Sequence, residues 1–553
     1  MLLDSFYAFT TALCAALIMV PFLRRWAHNQ GTVDLPDERK VHGTPTPRLG
    51  GIAIFLAFLF STLIFAPPAA AAFRGVLTGA LVIFAVGIAD DLYGLTSRQK
   101  FLGQVVACLV TIAVGNLWLH DLGNLFGLGD ILLPVWAGVP FTVFAVVGVT
   151  NAINLIDGLD GLAGGVSVLA LAAFALLGLL DGNHLAALLS MALAGSILGF
   201  LKYNFYPALI FMGDAGSLTV GYLLGFLAVM LTQGAAGGIS PMLPVLILGL
   251  PLFDAVWVMT RRLLNHTGPF SPDRTHVHHK FLDLGVEHRL TVLVIYAISL
   301  FWACSALLLR NLPEYALLIF LIVTAGSSYL LIHHLLRHRA RYPFLARDTQ
   351  ETLRASVTFN RYADFADRTL PLLAVLCGFY ALLGAGYALA NGVQVWPMAL
   401  VLLFIGAGLR RWGRDGGEFQ LLLVYAAACL LAFVVWQQGE GGVLGFSPKR
   451  IGDTLLLAAA LLVGVKLLFR RSREFFLGTA DALALALMIF LIIATQQPGK
   501  AGVSLGGPLL RAILLVLATR ILASHGPKVR QQLINASLLF LAILAISGLW
   551  VGG

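Results

Sequence analysis

Charged residues are scarce in this sequence, and their scarcity excludes most classes of protein. Only 11% of the 553 residues are charged, 59% are apolar, and the mean hydropathy is +0.89. A soluble domain carries about 25% charged residues, so too few are present to cover a water-facing surface. Apolar runs of roughly 18 to 22 residues recur along the chain, each long enough to cross a bilayer core of ~30 Å as a helix. The runs are continuous rather than alternating, which excludes a β-barrel. The sequence therefore predicts an all-α polytopic membrane protein.

Cysteine is scarce as well, and its distribution excludes a disulfide-framed or cysteine-ligated protein. The 5 cysteines lie within or beside apolar runs, and none belongs to a Cys-x-x-Cys pair, so they are predicted to be buried small hydrophobic side chains. The chain lacks the Gly-x-x-x-x-Gly-Lys-Ser/Thr loop that an ATP-driven pump would carry. The first apolar run has no basic start and no small-residue cleavage site, which indicates an uncleaved first span.

The basic residues predict the orientation of the spans. The formal net charge is +9, for which nucleic-acid binding would be one explanation. Lys and Arg, however, concentrate in alternate loops between the apolar runs, and cytoplasmic loops carry this excess. The pattern predicts an N-terminus outside and no nucleic-acid partner. About eleven spans are predicted in the first part of the chain, near 4–23, 50–66, 74–92, 101–119, 131–150, 162–180, 185–202, 216–232, 241–262, 289–309 and 314–335. About seven more are predicted near 369–390, 395–409, 419–437, 453–470, 479–495, 508–523 and 533–551.

Asp90 and Asp91 end the third predicted span. Adjacent carboxylates at the end of an apolar helix are unfavourable to bury unless a positive charge offsets them. A divalent metal, a neighbouring lysine or a substrate proton could supply that charge, and a solvated helix end is the alternative reading.

A second polar segment, 151–165, carries oxygen-bearing side chains at every third position. These residues are Asn151, Asn154, Asp157 and Asp160. On a helical turn they share one broad face, and Gly158 and Gly161 allow the backbone to approach a ligand or open the helix. Carboxylate and amide oxygens are the ligands that Mg²⁺ prefers, so this segment predicts a metal and phosphate site.

Two further segments belong to the same predicted cytoplasmic side. Asp214 lies between glycines just before a span, and Phe211 beside it could stack on a base or simply pack. The segment 271–280 carries three histidines with Arg274 and Lys280. No fourth ligand for zinc is evident there, whereas cations and imidazole donors suit phosphate oxygens. The residues together predict a Mg²⁺-assisted reaction on a phosphate-bearing substrate at the cytoplasmic surface.

Taken in chain order, these segments resemble the polyprenyl-phosphate N-acetylhexosamine-1-phosphate transferases, glycosyltransferase family 4, over residues from about 1 to 335. The motifs that carry the resemblance are Gly31–His42, Pro45–Gly51, Asp90–Asp91, Asn151–Gly165, Phe211–Asp214, Pro251–Asp254 and His276–His279. The histidine loop resembles the bacterial branch that starts O-antigen, enterobacterial common antigen or teichoic-acid linkage synthesis.

The resemblance implies an activity and a set of site residues. It implies transfer of N-acetylhexosamine-1-phosphate, with GlcNAc favoured, from a UDP-sugar to undecaprenyl phosphate, with release of UMP, in the bacterial inner membrane. It implies Mg²⁺, with Mn²⁺ as an alternative, on Asn154 and Asp214, and a catalytic pair at Asp90 and Asp91. It implies that the uridine binds near Asp160 and Phe211, and the diphosphate near Lys100 and the histidine loop. The full set of implied substrate-binding residues is Lys40, Lys100, Asn151, Asp157, Asp160, Phe211, Arg274, His276, His278 and His279. A homodimer is left open.

The chemistry of the acceptor limits the role of the acid pair. A phosphate monoester has a second pKa of about 6, so the lipid phosphate is already mostly dianionic at neutral pH. A dedicated base would contribute little, because the main obstacle is repulsion from the donor diphosphate. Asp90 and Asp91 are therefore expected to position the acceptor or the metal at least as readily as to take a proton.

The second half of the chain carries no comparable motif. Residues 336–368 are predicted to be a basic cytoplasmic linker, and 369–553 a C-terminal membrane module of unknown role, to which the resemblance does not extend. The alternative function for the whole chain is a lipid-linked sugar transporter or flippase. Such a protein would carry charges in mid-span and inverted repeats, and Asp254 is the main charge found inside a predicted span.

Overall fold

The structure is a computed structural model. It describes residues 2–30, 46–233, 239–265, 276–338, 357–391, 399–404, 406–407, 417–436, 448–468, 478–495 and 506–551. These residues are helical apart from loops and isolated bridge residues such as the antiparallel pair Asp121 and Leu132, and the predicted all-α class is confirmed. The chain divides into two compact units, Met1–Arg341 and Tyr342–Gly553.

The described part of unit 1 contains thirteen helices. They are α1 (Leu2–Gln30), α2 (Gly50–Phe65), α3 (Ala71–Tyr93), α4 (Ser97–Gly115), α5 (Val135–Ile156), α6 (Leu162–Asp181), α7 (His184–Asn204), α8 (Gly213–Thr232), α9 (Met242–Ile247), α10 (Gly249–Leu264), α11 (Val277–Asp283), α12 (His288–Leu308) and α13 (Glu314–Arg337).

Helices α6, α7 and α8 form the centre of unit 1. Their most apolar stretches are 83%, 78% and 89% buried, against 22% in α1 and in α13, which are peripheral. Small residues let the backbones approach closely: a Cβ on Gly195 of α7 would lie only 2.2 Å from the carbonyl oxygen of Phe9 in α1. Hydroxyls inside the spans donate to carbonyls of neighbouring helices, as Ser61 does to Ala8 at 2.6 Å. Close backbone contact and interhelical hydrogen bonds thus hold together helices that are apolar on all sides.

One predicted span differs from the structure. Residues 241–262, predicted as a single helix, form α9 and α10 with a break at Leu248. Pro251 in the first turn of α10 has no N–H to donate to the preceding turn, which favours ending one helix and starting another there. The short helix α11 lies in what was predicted to be a loop.

Ten helices within the described residues are long and apolar enough to cross a membrane, eight of them in unit 1. The predicted division into eleven and seven spans is therefore not confirmed. The difference in unit 1 comes from α2, which has only 16 residues, from the charged first turn of α4, and from the break between α9 and α10.

The described part of unit 2 contains seven helices of at least 12 residues. They are α14 (Val357–Arg368), α15 (Leu370–Asn391), α16 (Gly417–Trp436), α17 (Pro448–Leu468), α18 (Thr479–Thr495), α19 (Gly506–Ala523) and α20 (Pro527–Val551). The predicted span 395–409 lies partly outside the described residues.

Ion pairs join the helices of unit 2. Arg511 of α19 makes a two-pronged pair with Asp453 of α17, with Nε and Nη2 each 2.7 Å from a carboxylate oxygen. Arg520 of α19 lies 2.7 Å from buried Asp481 of α18. Planar guanidinium groups suit such pairs between helices, so these charges have a structural explanation.

Candidate active site

Most of the polar segments singled out in the sequence meet at one end of unit 1. A cleft of about 390 Å³ lies among the ends of α3, α5 and α7, the start of α8, the segment before α2 and the loop between α5 and α6. The residues that line it are Arg48, Asp91, Asn154, Asp157, Gly158, Leu159, Asp160, Asn204, Phe211, Met212, Gly213, Asp214 and Ser217. Of the predicted site residues, Asp91, Asn154, Asp157, Asp160, Phe211 and Asp214 therefore share one cavity.

Asp91 holds the start of α8. Its two carboxylate oxygens accept hydrogen bonds from the backbone N–H groups of Asp214 and Ala215, each at 2.9 Å. The first N–H groups of a helix lack partners within the helix, and the residue preceding α8, Met212, provides no side-chain cap. A carboxylate near a helix N-terminus is also favoured by the helix dipole. Asp91 is thus occupied in fixing the backbone that carries Asp214.

Asp90 has different partners, although it is adjacent to Asp91. Its Oδ1 accepts a hydrogen bond of 2.8 Å from the N–H of Leu95, and its Oδ2 forms an ion pair with Lys100. Both contacts depend on the turn between α3 and α4, in which Gly94 has a left-handed conformation. Thr96, two residues later, caps α4 by accepting a hydrogen bond from the N–H of Gln99. Lys100 consequently lies in the first turn of α4, facing back to Asp90.

Lys100 also reaches Asp214. Its Nζ lies 3.6 Å from Asp214 Oδ2, and its side chain is 29% exposed. A single ammonium group therefore stands between a buried carboxylate and one that lines the cleft. This arrangement leaves Lys100 within reach of an anion bound in the cleft.

Asn154 and Asp214 are in direct contact. The amide Nδ2 of Asn154 donates to Asp214 Oδ1 and to Ser217 Oγ, each at 2.7 Å. Asn154 is on the last turn of α5 and Asp214 on the first turn of α8, so the contact joins two helix ends. The group that Asn154 turns toward the Asp214 carboxylate is its amide NH₂, and its role as a metal ligand stays a prediction.

The acidic side chains of the cleft repel one another. The pKa of Asp157 is raised to about 7, mainly because burial disfavours the charged carboxylate, and further because the carboxylates of Asp214, Asp160 and Asp91 lie nearby. Arg48 acts in the opposite direction. A cation in the cleft would relieve this repulsion.

The donor set fits Mg²⁺. No group of three or more His, Cys, Asp or Glu side chains that could hold a metal is present within the described residues. Mg²⁺ does not need one, since it commonly binds through one or two carboxylates, several waters and the phosphates of a substrate. Asp214, with Asn154 and Asp157 beside it, provides such a partial shell.

Residues that the sequence did not single out as site residues complete the cleft. Segment 46–51 pairs with segment 211–216: the N–H of Phe211 donates to Pro47, and the N–H groups of Gly50 and Gly51 donate to Phe211 and Met212. This pairing brings Arg48 to the cleft. Asn204 also lines it and joins two loops, accepting from the N–H of Gly161 at 3.0 Å and donating to the carbonyl of Ile210 at 2.9 Å. The feature of the sequence that could have identified Arg48 as a site residue is the motif rich in Pro and Gly around it, Pro45–Gly51.

Asp160 and Asn151 have structural partners. Asp160 lines the cleft and is 3% exposed, and its Oδ2 accepts from the N–H of Ala208 at 2.9 Å. Asn151 is not among the residues that line the cleft: its amide pairs with that of buried Gln104, at 2.8 Å and 3.3 Å. The three-residue spacing therefore does not bring all four oxygen-bearing side chains to the cavity.

The histidine loop packs against the wall of the cleft and does not line it. His278 is 2% exposed, and a Cβ on Gly158 would lie 2.5 Å from its Nε2. Burial, with His279, His276 and His288 nearby, lowers the pKa of His278 to about 3. The His278 ring is thus neutral at physiological pH. His279 is half-buried beside it, with ring centroids 4.2 Å apart.

His276, the first histidine of the loop, contacts Asp254, with Nδ1 2.9 Å from Oδ2. Lys40 and Arg274, also predicted to bind substrate, lie outside the described residues.

Comparisons with known proteins identify the family of the chain. The profile of glycosyl transferase family 4 matches residues 73–232. A probable undecaprenyl-phosphate N-acetylglucosaminyl 1-phosphate transferase of Bacillus subtilis (strain 168) is 38% identical over 308 residues, which is 55% of this chain and 84% of the relative. A decaprenyl-phosphate N-acetylglucosaminephosphotransferase of Mycobacterium tuberculosis (strain CDC 1551 / Oshkosh) is 35% identical over 341 residues, covering 56% of this chain and 84% of the relative.

A third relative, the undecaprenyl-phosphate alpha-N-acetylglucosaminyl 1-phosphate transferase of Escherichia coli (strain K12), is 32% identical over 326 residues, covering 57% of this chain and 86% of the relative. The similarity therefore covers most of each relative and somewhat more than half of this chain. The matched profile contains Asp90, Asp91, Asn154 and Asp214, four residues that the structure places around one end of the helices. The chain belongs to glycosyl transferase family 4, the polyprenyl-phosphate N-acetylhexosamine-1-phosphate transferases.

Proposed function

We propose that this protein transfers N-acetylglucosamine-1-phosphate from UDP-N-acetylglucosamine to undecaprenyl phosphate and releases UMP. The names of the relatives support the polyprenyl-phosphate acceptor and the sugar phosphate. The product would start a cell-envelope polysaccharide. The excess of Lys and Arg in alternate loops supports a cleft that faces the cytoplasm and an N-terminus outside.

The contact between Asp214, Asn154 and Lys100 carries this proposal. Asp214 accepts from the amide of Asn154 and lies 3.6 Å from Nζ of Lys100, so a carboxylate and an ammonium group lie together at the end of helices long enough to span a bilayer. A soluble diphosphate donor and a membrane-bound phosphate acceptor would meet at such a position. Both substrates are anions, so the site must reduce their mutual repulsion.

The reaction is a displacement at the phosphorus that bears the sugar. An oxygen of the dianionic lipid phosphate forms a bond to that phosphorus, and the bond to the bridging oxygen breaks, so that UMP leaves with the electron pair. Mg²⁺, when bound, supplies positive charge to the diphosphate. Asp214 and Asn154 would hold it, and Lys100 would neutralise an oxygen of the substrates. Asp90 keeps Lys100 in place, and Asp91 keeps Asp214 in place, so neither needs to take a proton.

The test is a reaction with purified full-length protein. Labelled UDP-N-acetylglucosamine and UDP-N-acetylgalactosamine are supplied separately with undecaprenyl phosphate and Mg²⁺, and both products are analysed. The expected result is a lipid-linked diphospho-sugar with one equivalent of UMP. Release of UDP would indicate ordinary glycosyl transfer and contradict the proposal. A preference for UDP-N-acetylgalactosamine would change the donor and leave the reaction type intact.

A further inference from the structure

The connection between α4 and α5 forms a hairpin, residues 120–133, at the end of unit 1 opposite the cleft. Asp121 and Leu132 pair across this α4–α5 hairpin. The N–H of Leu122 donates to the carbonyl of Ile131 at 3.0 Å. The connection is therefore a defined element held by its own backbone hydrogen bonds.

Two side chains from neighbouring helices hold the hairpin on unit 1. Gln233, directly after α8, accepts hydrogen bonds of 3.0 Å from the N–H groups of His120 and Asp121 and donates to the carbonyl of Asp121 at 2.9 Å. Glu314, the first residue of α13, accepts from the N–H of Asn124 at 3.3 Å. These contacts fix the hairpin at the end of α8 and the start of α13.

The tip of the hairpin, residues 126–128, is apolar. Phe126 is 69% exposed and Leu128 is 93% exposed, and Gly127 between them has a positive φ. Turns that face water are formed mainly by Gly, Pro, Asn, Asp and Ser. Neighbouring exposed apolar side chains on a turn held this firmly mark a surface that contacts a membrane or another protein.

The surroundings of the tip favour the membrane. A Cβ on Gly127 would lie 3.7 Å from the ring of Tyr315, so the tip contacts the first turn of α13. Tyr315, Ile319 and Ile322 are exposed and share one face of α13, and the exposed face of a peripheral spanning helix meets lipid. Trp136, at the start of α5, is 80% exposed, and Trp and Tyr are enriched where a membrane meets water. The tip thus continues a lipid-facing surface at the level where two spans begin.

We propose that the tip of the α4–α5 hairpin inserts into the lipid leaflet at the end of the helices opposite the cleft. The expected depth is about 5 to 10 Å, at the boundary between headgroups and acyl chains. Insertion removes the apolar surface of Phe126 and Leu128 from water. The hairpin backbone, paired within itself and with Gln233 and Glu314, stays at the headgroup level. This surface is independent of the proposed reaction.

Fluorescence quenching in nanodiscs that hold one chain each tests the insertion. The 5 cysteines are replaced by alanine, and an environment-sensitive label is attached at Leu128→Cys. We expect strong quenching by lipids brominated on their acyl chains and weak quenching by iodide in the water. His184→Cys is the matched control, since His184 is exposed at the same end of unit 1, between the central helices α6 and α7. Its label should show the opposite pattern.

Three results at Leu128→Cys would overturn the proposal. Quenching by iodide as strong as in the control would show that the tip lies in water. Quenching by brominated lipid no stronger than in the control would show that acyl chains do not reach it. Protection from both quenchers would show that protein covers it.

A second experiment keeps the native cysteines. A photoreactive benzophenone side chain in place of Phe126 is activated in intact membranes, and the adducts are identified by mass spectrometry. The expected adduct is a membrane lipid. A crosslink to a second copy of this chain, or to another protein, in place of the lipid adduct would overturn the proposal. Neither experiment uses a substrate, so their results do not depend on the transferase activity.

Discussion

Asp90 and Asp91 are neighbours in sequence, yet the structure gives them separate tasks. Asp91 accepts from two backbone N–H groups at the start of α8, whereas Asp90 binds Lys100 and the turn after α3. Their side chains leave the helix in different directions, so two equal charges contact different partners. In this arrangement each carboxylate holds another group of the site, and the expectation that they position substrate or metal rather than take a proton stays a prediction.

Substitution of Asp91 distinguishes positioning from proton abstraction. Asp91→Ala leaves two helix N–H groups without an acceptor, so we expect the free energy of unfolding to fall by about 1 to 2 kcal/mol, as on loss of a helix cap, together with activity. Asp91→Asn keeps one oxygen acceptor and should retain intermediate stability and part of the activity. Thermal melts in detergent and turnover measure the two effects. Equal loss of activity in both variants, with unchanged melting temperatures, would indicate a base.

Metal binding depends most on Asp214. Asp214→Asn keeps the shape and the contact with Asn154 but removes the negative charge, and several kcal/mol of charge stabilisation depend on a bound metal. We expect activity to fall at least about 100-fold. Mg²⁺ with UDP should raise the melting temperature of the wild-type protein but not that of Asp214→Asn. Asp130→Asn, which changes an exposed acid in the loop before α5, is the control and should leave both measurements unchanged. Full activity of Asp214→Asn in the presence of EDTA would refute the metal assignment.

At the scale of elements, the crossing of α2 and α8 sets the geometry of the site. Gly51 and Gly216 meet there: a Cβ on Gly51 would lie 2.1 Å from the backbone nitrogen of Gly216. Backbone atoms cannot turn away as a flexible side chain can. The same crossing carries the hydrogen bond from Gly51 N–H to Met212, just before Asp214. The position of Asp214, the proposed metal ligand, therefore depends on two residues without side chains.

Gly51→Ala should push α2 and α8 apart. Overpacking of this kind destabilises by about 1 to 3 kcal/mol, and we expect a lower melting temperature together with weaker donor binding, because the start of α8 moves. Gly326→Ala in α13 is the control, since no atom lies within 4 Å of its added Cβ. That variant should be neutral or slightly more stable, as alanine is favoured over glycine in helices. If both variants melt like the wild-type protein, close backbone contact is not what holds the site.

At the scale of the whole molecule, all the residues of the proposed site belong to unit 1, Met1–Arg341. Unit 2 contains ion pairs between its own helices, such as Arg511 with Asp453, and these residues have partners within the unit. The predicted division into residues 1–335, 336–368 and 369–553, with a C-terminal membrane module of unknown role, stays a prediction.

A protein that ends at Arg341 should retain transferase activity. The expected result is turnover per folded molecule within a few-fold of the full-length protein in nanodiscs. The melting temperature should fall only modestly, because the core of α6, α7 and α8 lies within unit 1. The comparison is made at equal amounts of folded protein, measured by gel filtration. A truncated protein that folds and binds UDP-sugar but does not turn over would show that unit 2 supplies part of the acceptor site.

The sequence alone determined the class of the protein and predicted that its polar motifs lie together at one end of the helices. A continuous apolar run forms a helix in a bilayer, because a helix pairs all the backbone N–H and C=O groups within the run. The polar motifs therefore lie where the apolar runs stop. The order of the motifs further identified the family. These conclusions need only local composition and spacing.

Tertiary structure decided which of those polar residues meet. Spacing put Asn151 and Asn154 on one helix face, but Asn151 faces Gln104 of α4 and only Asn154 reaches Asp214. Asp254 and His276 are separated by 22 residues and a break between helices, and no local pattern pairs them. Helical periodicity specifies the direction in which a side chain leaves its own axis, whereas its partner depends on how closely the neighbouring helix approaches. In this protein that approach is set by glycines such as Gly51 and Gly216, whose contact appears only once the helices are packed.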